Sequence, residues 1–139
     1  MKRLAVVAAL TLGAVAAFAQ MPRTPSTQGA ELYFIAPADN ATVTGPVTVR
    51  FGLKGMGVAP AGIQLADPGH HHLLVDTDVP PLDKPIPADA NHVHFGKGQT
   101  ETTLTLAPGR HTLQLILGDH LHIPHQPAVV SQKITITVK

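Results

Sequence analysis

Proline and glycine interrupt this chain so often that long helices are excluded from most of it. The sequence holds 13 prolines and 12 glycines among 139 residues, and a proline inside a helix removes a hydrogen bond and clashes with the preceding turn. The segments between these residues are short and rich in Val, Ile and Thr, which favour strands. We therefore predict a fold made of short strands joined by turns.

Alternation of apolar and polar residues marks the individual strands. In the last segment, Ile134, Ile136 and Val138 alternate with lysine and threonine, which is typical of a strand with one buried face. Short segments of this kind predict strands at residues 31–36, 47–53, 70–76, 100–106, 110–117 and 128–138. Such a set in one small domain predicts an all-β, immunoglobulin-like antiparallel β-sandwich. A small closed β-barrel is the alternative.

Residues 1–19 have the three-part pattern of a secretory signal peptide. Two basic residues precede an uncharged apolar run over residues 4–17, and Ala17-Phe18-Ala19 matches the small-x-small cleavage pattern. The apolar run is short for a membrane-spanning helix. We expect cleavage after Ala19 and export to the periplasm, with no membrane span in the mature protein.

The mature chain has room for one domain. Residues 20–30 contain two prolines and few apolar groups, so they are predicted to form a flexible leader. Residues 31–139 are then a single histidine-rich β-sandwich domain. Because the sequence contains no cysteine, disulfides and thiolate metal sites are excluded, and burial alone must hold this exported domain together.

The charge balance argues against a nucleic-acid partner. The whole chain has 10 basic and 9 acidic residues, and two of the basic residues belong to the predicted signal peptide. The mature chain therefore has a formal charge near −1 when its histidines are neutral. A nucleic-acid-binding protein needs a basic surface to neutralise phosphates, and no such basic stripe is present in the sequence.

Histidines are concentrated in one half of the chain. All 9 histidines lie between His70 and His125, and three pairs have the spacing His-x-His. In a strand, residues i and i+2 project from the same face about 6–7 Å apart, so both imidazoles can reach one ion. The candidate ligands are His70, His72, His92, His94, His122 and His125. His71 and His111 lie on apolar strand faces, which predicts a packing role for both.

Neutral imidazole is a common ligand of transition metals. Since the chain offers histidine and no cysteine, the metal is expected to be copper or zinc, with copper preferred. This leads to the hypothesis of a periplasmic metal-binding module that acts in metal storage, delivery or tolerance. Its partners would be the metal ion and a periplasmic protein.

A second hypothesis explains the histidines without a metal. Buried histidines can form hydrogen-bonded networks that fix loops, with Asp76, Asp89 and Asp119 as acceptors. The protein would then be a periplasmic structural or interaction domain. In that case, replacing a histidine such as His72 would lower stability without changing the metal content.

A third hypothesis is a metal-dependent hydrolase, in which histidines and Asp76 hold zinc and an activated water. Support for catalysis is weak, because the only serines are Ser26 in the leader and Ser131 in the last predicted strand. The only glutamates are Glu31 and Glu101, which leaves no obvious general base near the histidines. We therefore expect a binding protein and not an enzyme.

Four further motifs resemble those of a known family. They are GHHHLLVD at residues 69–76, HFGKGQTE at 94–101, PGRHTLQL at 108–115 and GDHLHIPH at 118–125. Together they resemble a family of small exported bacterial proteins that is catalogued as a domain of unknown function, some members of which carry the label "rod shape-determining". The resemblance covers nearly all of residues 31–139. It implies an exported β-sandwich with a histidine-rich signature and no assigned activity.

Overall fold

The computed structural model describes residues 22–65 and 67–139, so the predicted signal peptide lies outside the described residues. Within these two ranges the chain forms strands and turns and contains no helix, which confirms the all-β prediction. No helix there is long and apolar enough to cross a membrane. The strands are β1 (Glu31–Ala36), β2 (Thr42–Val43), β3 (Val47–Lys54), β4 (Gly57–Val58), β5 (Pro68–Val75), β6 (His92–His94), β7 (Glu101–Leu104), β8 (Gly109–Gly118) and β9 (Ile134–Val138).

The strands form two open sheets. One has the order β1-β3-β7, and the other has the order β2-β9-β8-β5-β4, with β6 also paired to β5. Neighbours are antiparallel except for the short parallel pairs β2–β9 and β4–β5. The orders β1-β3-β7 and β9-β8-β5 match the A-B-E and G-F-C orders of immunoglobulin-type sandwiches. The sandwich prediction is therefore confirmed, and neither sheet closes on itself.

Alternating side chains build the core between the sheets. Along β3, Val47, Val49 and Phe51 are buried while the threonine and arginine between them are exposed. Strand β9 repeats the pattern that the sequence predicted, with its three apolar side chains buried. Phe51 lies against the ring of Phe95 with the ring centroids 4.9 Å apart. One continuous apolar cluster thus joins both sheets.

Strand β5 is buried on both faces, unlike β3 and β9. Leu73 and Val75 belong to the core between the sheets. Leu74 points the other way and packs with Ile86 and Ile116 in a second, smaller cluster. Ile86 comes from the proline-rich segment between β5 and β6, which covers this outer face. Alternation alone predicts one solvated face, and the covering segment is what makes β5 different.

Side-chain orientation in β9 predicts a sharp contrast between neighbouring substitutions. Ile136 is 0% exposed and Thr137 is exposed. Ile136→Ala should lower the free energy of unfolding by about 2–5 kcal/mol, because it leaves a cavity in the core. Thr137→Ala should change it by about 0.5 kcal/mol or less, as surface substitutions usually do. Urea unfolding of both variants measures the difference, and similar losses would contradict this orientation.

Candidate metal site

Strand pairing brings three histidines to one face of the larger sheet. In the register of β5 and β6, His72 lies directly opposite His94. Directly opposed residues of an antiparallel pair have their Cβ atoms about 4.5–5.5 Å apart on the same face. His70 precedes His72 by two residues and therefore shares this face. The ring centroids of His70 and His72 are 4.8 Å apart, and that of His94 is 5.0 Å from each.

The loop after β8 supplies a fourth histidine. The Oδ1 atom of Asp119 accepts hydrogen bonds from the backbone N–H groups of Leu121 at 2.9 Å and Ile123 at 3.0 Å. His122 lies between them with a φ of 66°, in the left-handed region. Its carbonyl accepts a hydrogen bond of 2.8 Å from the backbone N–H of Ile86. The loop is thus held from two sides, and the His122 ring faces the sheet histidines.

His70, His72, His94 and His122 form a compact group, named here the four-histidine cluster. Each offers one ring nitrogen, and these nitrogens all lie within 4.8 Å of one another. The closest pairs are His70 Nε2 to His72 Nε2 at 2.9 Å and His70 Nε2 to His122 Nδ1 at 3.2 Å. Four imidazoles from three separate segments therefore form a group that can hold a metal ion.

Two glycines leave the space that the cluster rings occupy. A Cβ atom at Gly96 would lie 2.3 Å from Cε1 of His94, and one at Gly118 would lie 2.9 Å from Nε2 of His72. Neither glycine has a positive φ. These positions therefore need glycine for room beside the rings and not for unusual backbone angles.

Burial favours the neutral form of three cluster histidines, His70, His72 and His94. Loss of solvation, with the nearby His122 and His94 rings, lowers the pKa of His70 to about 4. Burial, with His70 and His94, lowers the pKa of His72 to about 2. The pKa of His94 is also lowered, first by burial and then by His122. Neutral imidazole is the form that binds metal, so at neutral pH these three rings are ready to act as ligands.

The other two candidate ligands, His92 and His125, lie outside the cluster. His92 Nδ1 is 2.8 Å from an oxygen of Asp89, in the turn that leads into β6. His125 is 0% exposed, and neither of its ring nitrogens has a hydrogen-bond partner. The cluster thus contains four of the six candidate ligands.

His71 and His111 have structural surroundings, as their apolar strand faces predicted. The ring of His71 is fully buried against Phe51, with the centroids 4.7 Å apart. His111 is bonded through Nδ1 to Asp76 at 2.7 Å and through Nε2 to the carbonyl of Ala107 at 2.8 Å. His71 thus packs β5 against β3. His111 joins β8 to Asp76, directly after β5, and to the segment that precedes β8.

Two of the three aspartates proposed as network acceptors bond histidines, but those histidines lie outside the four-histidine cluster. Asp76 bonds His111 and the backbone of Thr112, and Asp89 bonds His92. Asp119 bonds its own loop and Thr24. Among the described residues, no carboxylate accepts a hydrogen bond from the four-histidine cluster. Nδ1 of His72 and Nε2 of His94 are buried there without a hydrogen-bond partner.

Residues 49–139 match the family model described as "Domain of unknown function (DUF4399)". The chain belongs to this family. The matched DUF4399 range contains all members of the four-histidine cluster, and the sequence resemblance to a domain-of-unknown-function family is confirmed. No curated protein and no solved structure gives a significant match.

The pairing of His111 with Asp76 predicts a pH-dependent contribution to stability. The hydrogen bond to Asp76 raises the pKa of His111 above its usual value. When the pKa of a histidine is higher in the folded state than in the unfolded state, the histidine stabilises the fold at pH values below the unfolded-state pKa of about 6.5. This contribution is lost as the pH rises through the folded-state pKa. Asp76→Asn should therefore reduce the free energy of unfolding more at about pH 5.5 than at about pH 8.5.

Urea unfolding at both pH values measures this effect. Asparagine suits the positive φ of 53° at position 76, so backbone strain does not confuse the comparison. In a His111→Gln background, Asp76→Asn should cost the same at both values. A pH-independent cost in the otherwise unchanged protein would contradict the prediction.

Proposed function

We propose that the protein is a periplasmic metal-binding module whose ligands are His70, His72, His94 and His122. Its role would be metal storage, delivery or tolerance. The observation that carries the proposal is the convergence of four ring nitrogens within 4.8 Å of one another, from two strands and a loop. Position in the periplasm is supported by the signal-peptide pattern of residues 1–19.

Copper is the preferred ion because of the donor set. All four donors are imidazole nitrogens, and no thiolate or carboxylate belongs to the cluster. Among divalent first-row metals, Cu(II) binds such nitrogen sites most tightly, and tetragonal nitrogen ligation is typical of it. Zinc also accepts four nitrogen ligands in a tetrahedral site, so it is the competing ion in the tests below.

Binding without turnover fits the surroundings of the cluster. A metal-dependent hydrolase needs a group that accepts or donates a proton beside the bound water. Glu101 is exposed and paired with Arg50 at 2.8 Å, and Glu31 lies 3.9 Å from Lys54. Neither glutamate belongs to the cluster, which supports a carrier or storage role over hydrolysis.

A histidine network in a periplasmic interaction domain is the second candidate. The ring contacts of 2.9 and 3.2 Å that favour it are within hydrogen-bond range. However, a nitrogen such as Nε2 of His70 either carries a proton or offers a lone pair, and it lies close to two other ring nitrogens at once. A metal ion resolves this crowding by accepting a lone pair from every ring.

Metal titration distinguishes the two candidates. Protein stripped with a chelator should bind Cu(II) with a Kd below about 10 μM in isothermal titration calorimetry. His94→Ala should weaken binding by at least about tenfold, because it removes one of the four proposed ligands. His94 is partly exposed, so the substitution leaves no large cavity in the core. His71→Leu is the control, since it removes a histidine that lies between His70 and His72 but packs against Phe51 on the opposite face of β5. No binding by the unchanged protein, to Cu(II) or Zn(II), would contradict the proposal.

Gly96→Ala tests the same site without removing a ligand. The added Cβ would overlap the His94 ring, so the ring must move and Cu(II) affinity should fall by about tenfold or more. Gly57→Ala is the control, because its Cβ would meet only Pro68, at 3.8 Å. Calorimetry on both variants gives the comparison, and equal affinities would show that His94 is not a ligand.

A further inference from the structure

A short segment before β1 runs along the loop that carries His122. Residues 23–27 are named here the strap. The carbonyl of Thr24 accepts a hydrogen bond of 2.9 Å from the backbone N–H of Gln126, and the N–H of Ser26 donates to the Gln126 carbonyl at 3.1 Å. The guanidinium of Arg23 donates to the carbonyls of Pro124, at 2.9 Å, and His125. Residues 23–27, which the sequence predicts to belong to a flexible leader, are therefore hydrogen-bonded to the loop after β8.

The strap is linked to His122 through one buried carboxylate. The hydroxyl of Thr24 donates to Oδ2 of Asp119 at 2.7 Å, while Oδ1 of Asp119 accepts from the two residues that flank His122. Asp119 is 1% exposed. Burial would raise the pKa of Asp119, but the bonds from Thr24, Ile123 and Leu121 outweigh it and lower the pKa. The ionised carboxylate therefore connects the strap to the histidine loop.

His122 depends on this support more than the other cluster members do. His70, His72 and His94 lie on paired strands, whose hydrogen bonds fix their positions. His122 lies on a loop and has a φ of 66°, a conformation that histidine adopts at a cost unless its surroundings hold it. Loss of the loop's hydrogen bonds would therefore release His122 first.

We propose that the strap is a positioning element for the metal site, and that Thr24, acting through Asp119, holds His122 in its ligating position. This inference rests on the proposed metal binding. The strap precedes residues 49–139, the range matched by the family model, so a segment outside that range sets the affinity of a site inside it. Because coupling is reciprocal, bound metal also strengthens docking of the strap.

Thr24→Val removes the hydroxyl and keeps the shape of the side chain. It should weaken Cu(II) binding by about tenfold, which corresponds to about 1.4 kcal/mol. Thr137→Val is the matched control: Thr137 is exposed on β9, a strand that carries no histidine of the cluster, so the same substitution there should leave the affinity unchanged. Calorimetric titration of the purified protein with Cu(II) measures both.

A double-mutant cycle separates positioning from general destabilisation. In a His122→Ala background, Thr24→Val should have no further effect on Cu(II) affinity, because the ligand that it positions is gone. As a second readout, Cu(II) should slow hydrogen exchange at the Ser26 and Gln126 amides of the protein, and it should not do so in His122→Ala.

The outcomes distinguish this inference from the proposed function. If the unchanged protein does not bind Cu(II), the proposed function and the inference both fail. If it binds Cu(II) but Thr24→Val has no effect, or has the same effect with and without His122, the inference is overturned and the metal site stands. Weaker binding that appears only when His122 is present supports the strap as a positioning element.

Discussion

Double-sided burial of one strand is the constraint on which the rest of this structure depends. Strand β5 pairs with β8 along one edge and with β4 and β6 along the other, and residues 69–75 are all buried. Successive side chains must then leave the strand toward two different interiors. Leu73 and Val75 enter the apolar core, while His70 and His72 leave from the opposite face, where they meet His94 and His122. Three consecutive histidines thus have two different environments, and only the alternation separates them.

Local periodicity explains what the sequence predicted well. A period of two is a property of neighbouring residues, so the strands and the shared face of His70 and His72 follow from the pattern alone. The same rule also placed His92 and His94 on one face. Only His94 belongs to the four-histidine cluster, whereas the ring of His92 lies 2.8 Å from Asp89. Periodicity predicts where a side chain points, but it does not predict which partner is nearest.

The alternation of apolar and polar residues does not predict contacts between distant parts of the chain. The bond from Thr24 to Asp119 joins residues that are 95 positions apart. Residues 20–30 contain two prolines and few apolar groups, so their sequence did not predict that they would bind another part of the domain. The packing of Ile86 over β5 was likewise not predictable, since proline-rich segments carry no periodic signal. Asp119 offered one clue, because an aspartate side chain in a turn often bonds the backbone two residues further on.

The backbone at His122 limits how the site can be altered. With a φ of 66°, this position suits glycine best, and it tolerates asparagine, aspartate and histidine better than most other residues. Among the residue types that commonly bind metals, only histidine and aspartate at position 122 would keep both this backbone conformation and a donor atom for a metal. His94 lies on a strand and has no such restriction. A softer site, with a cysteine for monovalent copper, can therefore be engineered at position 94 far more readily than at position 122.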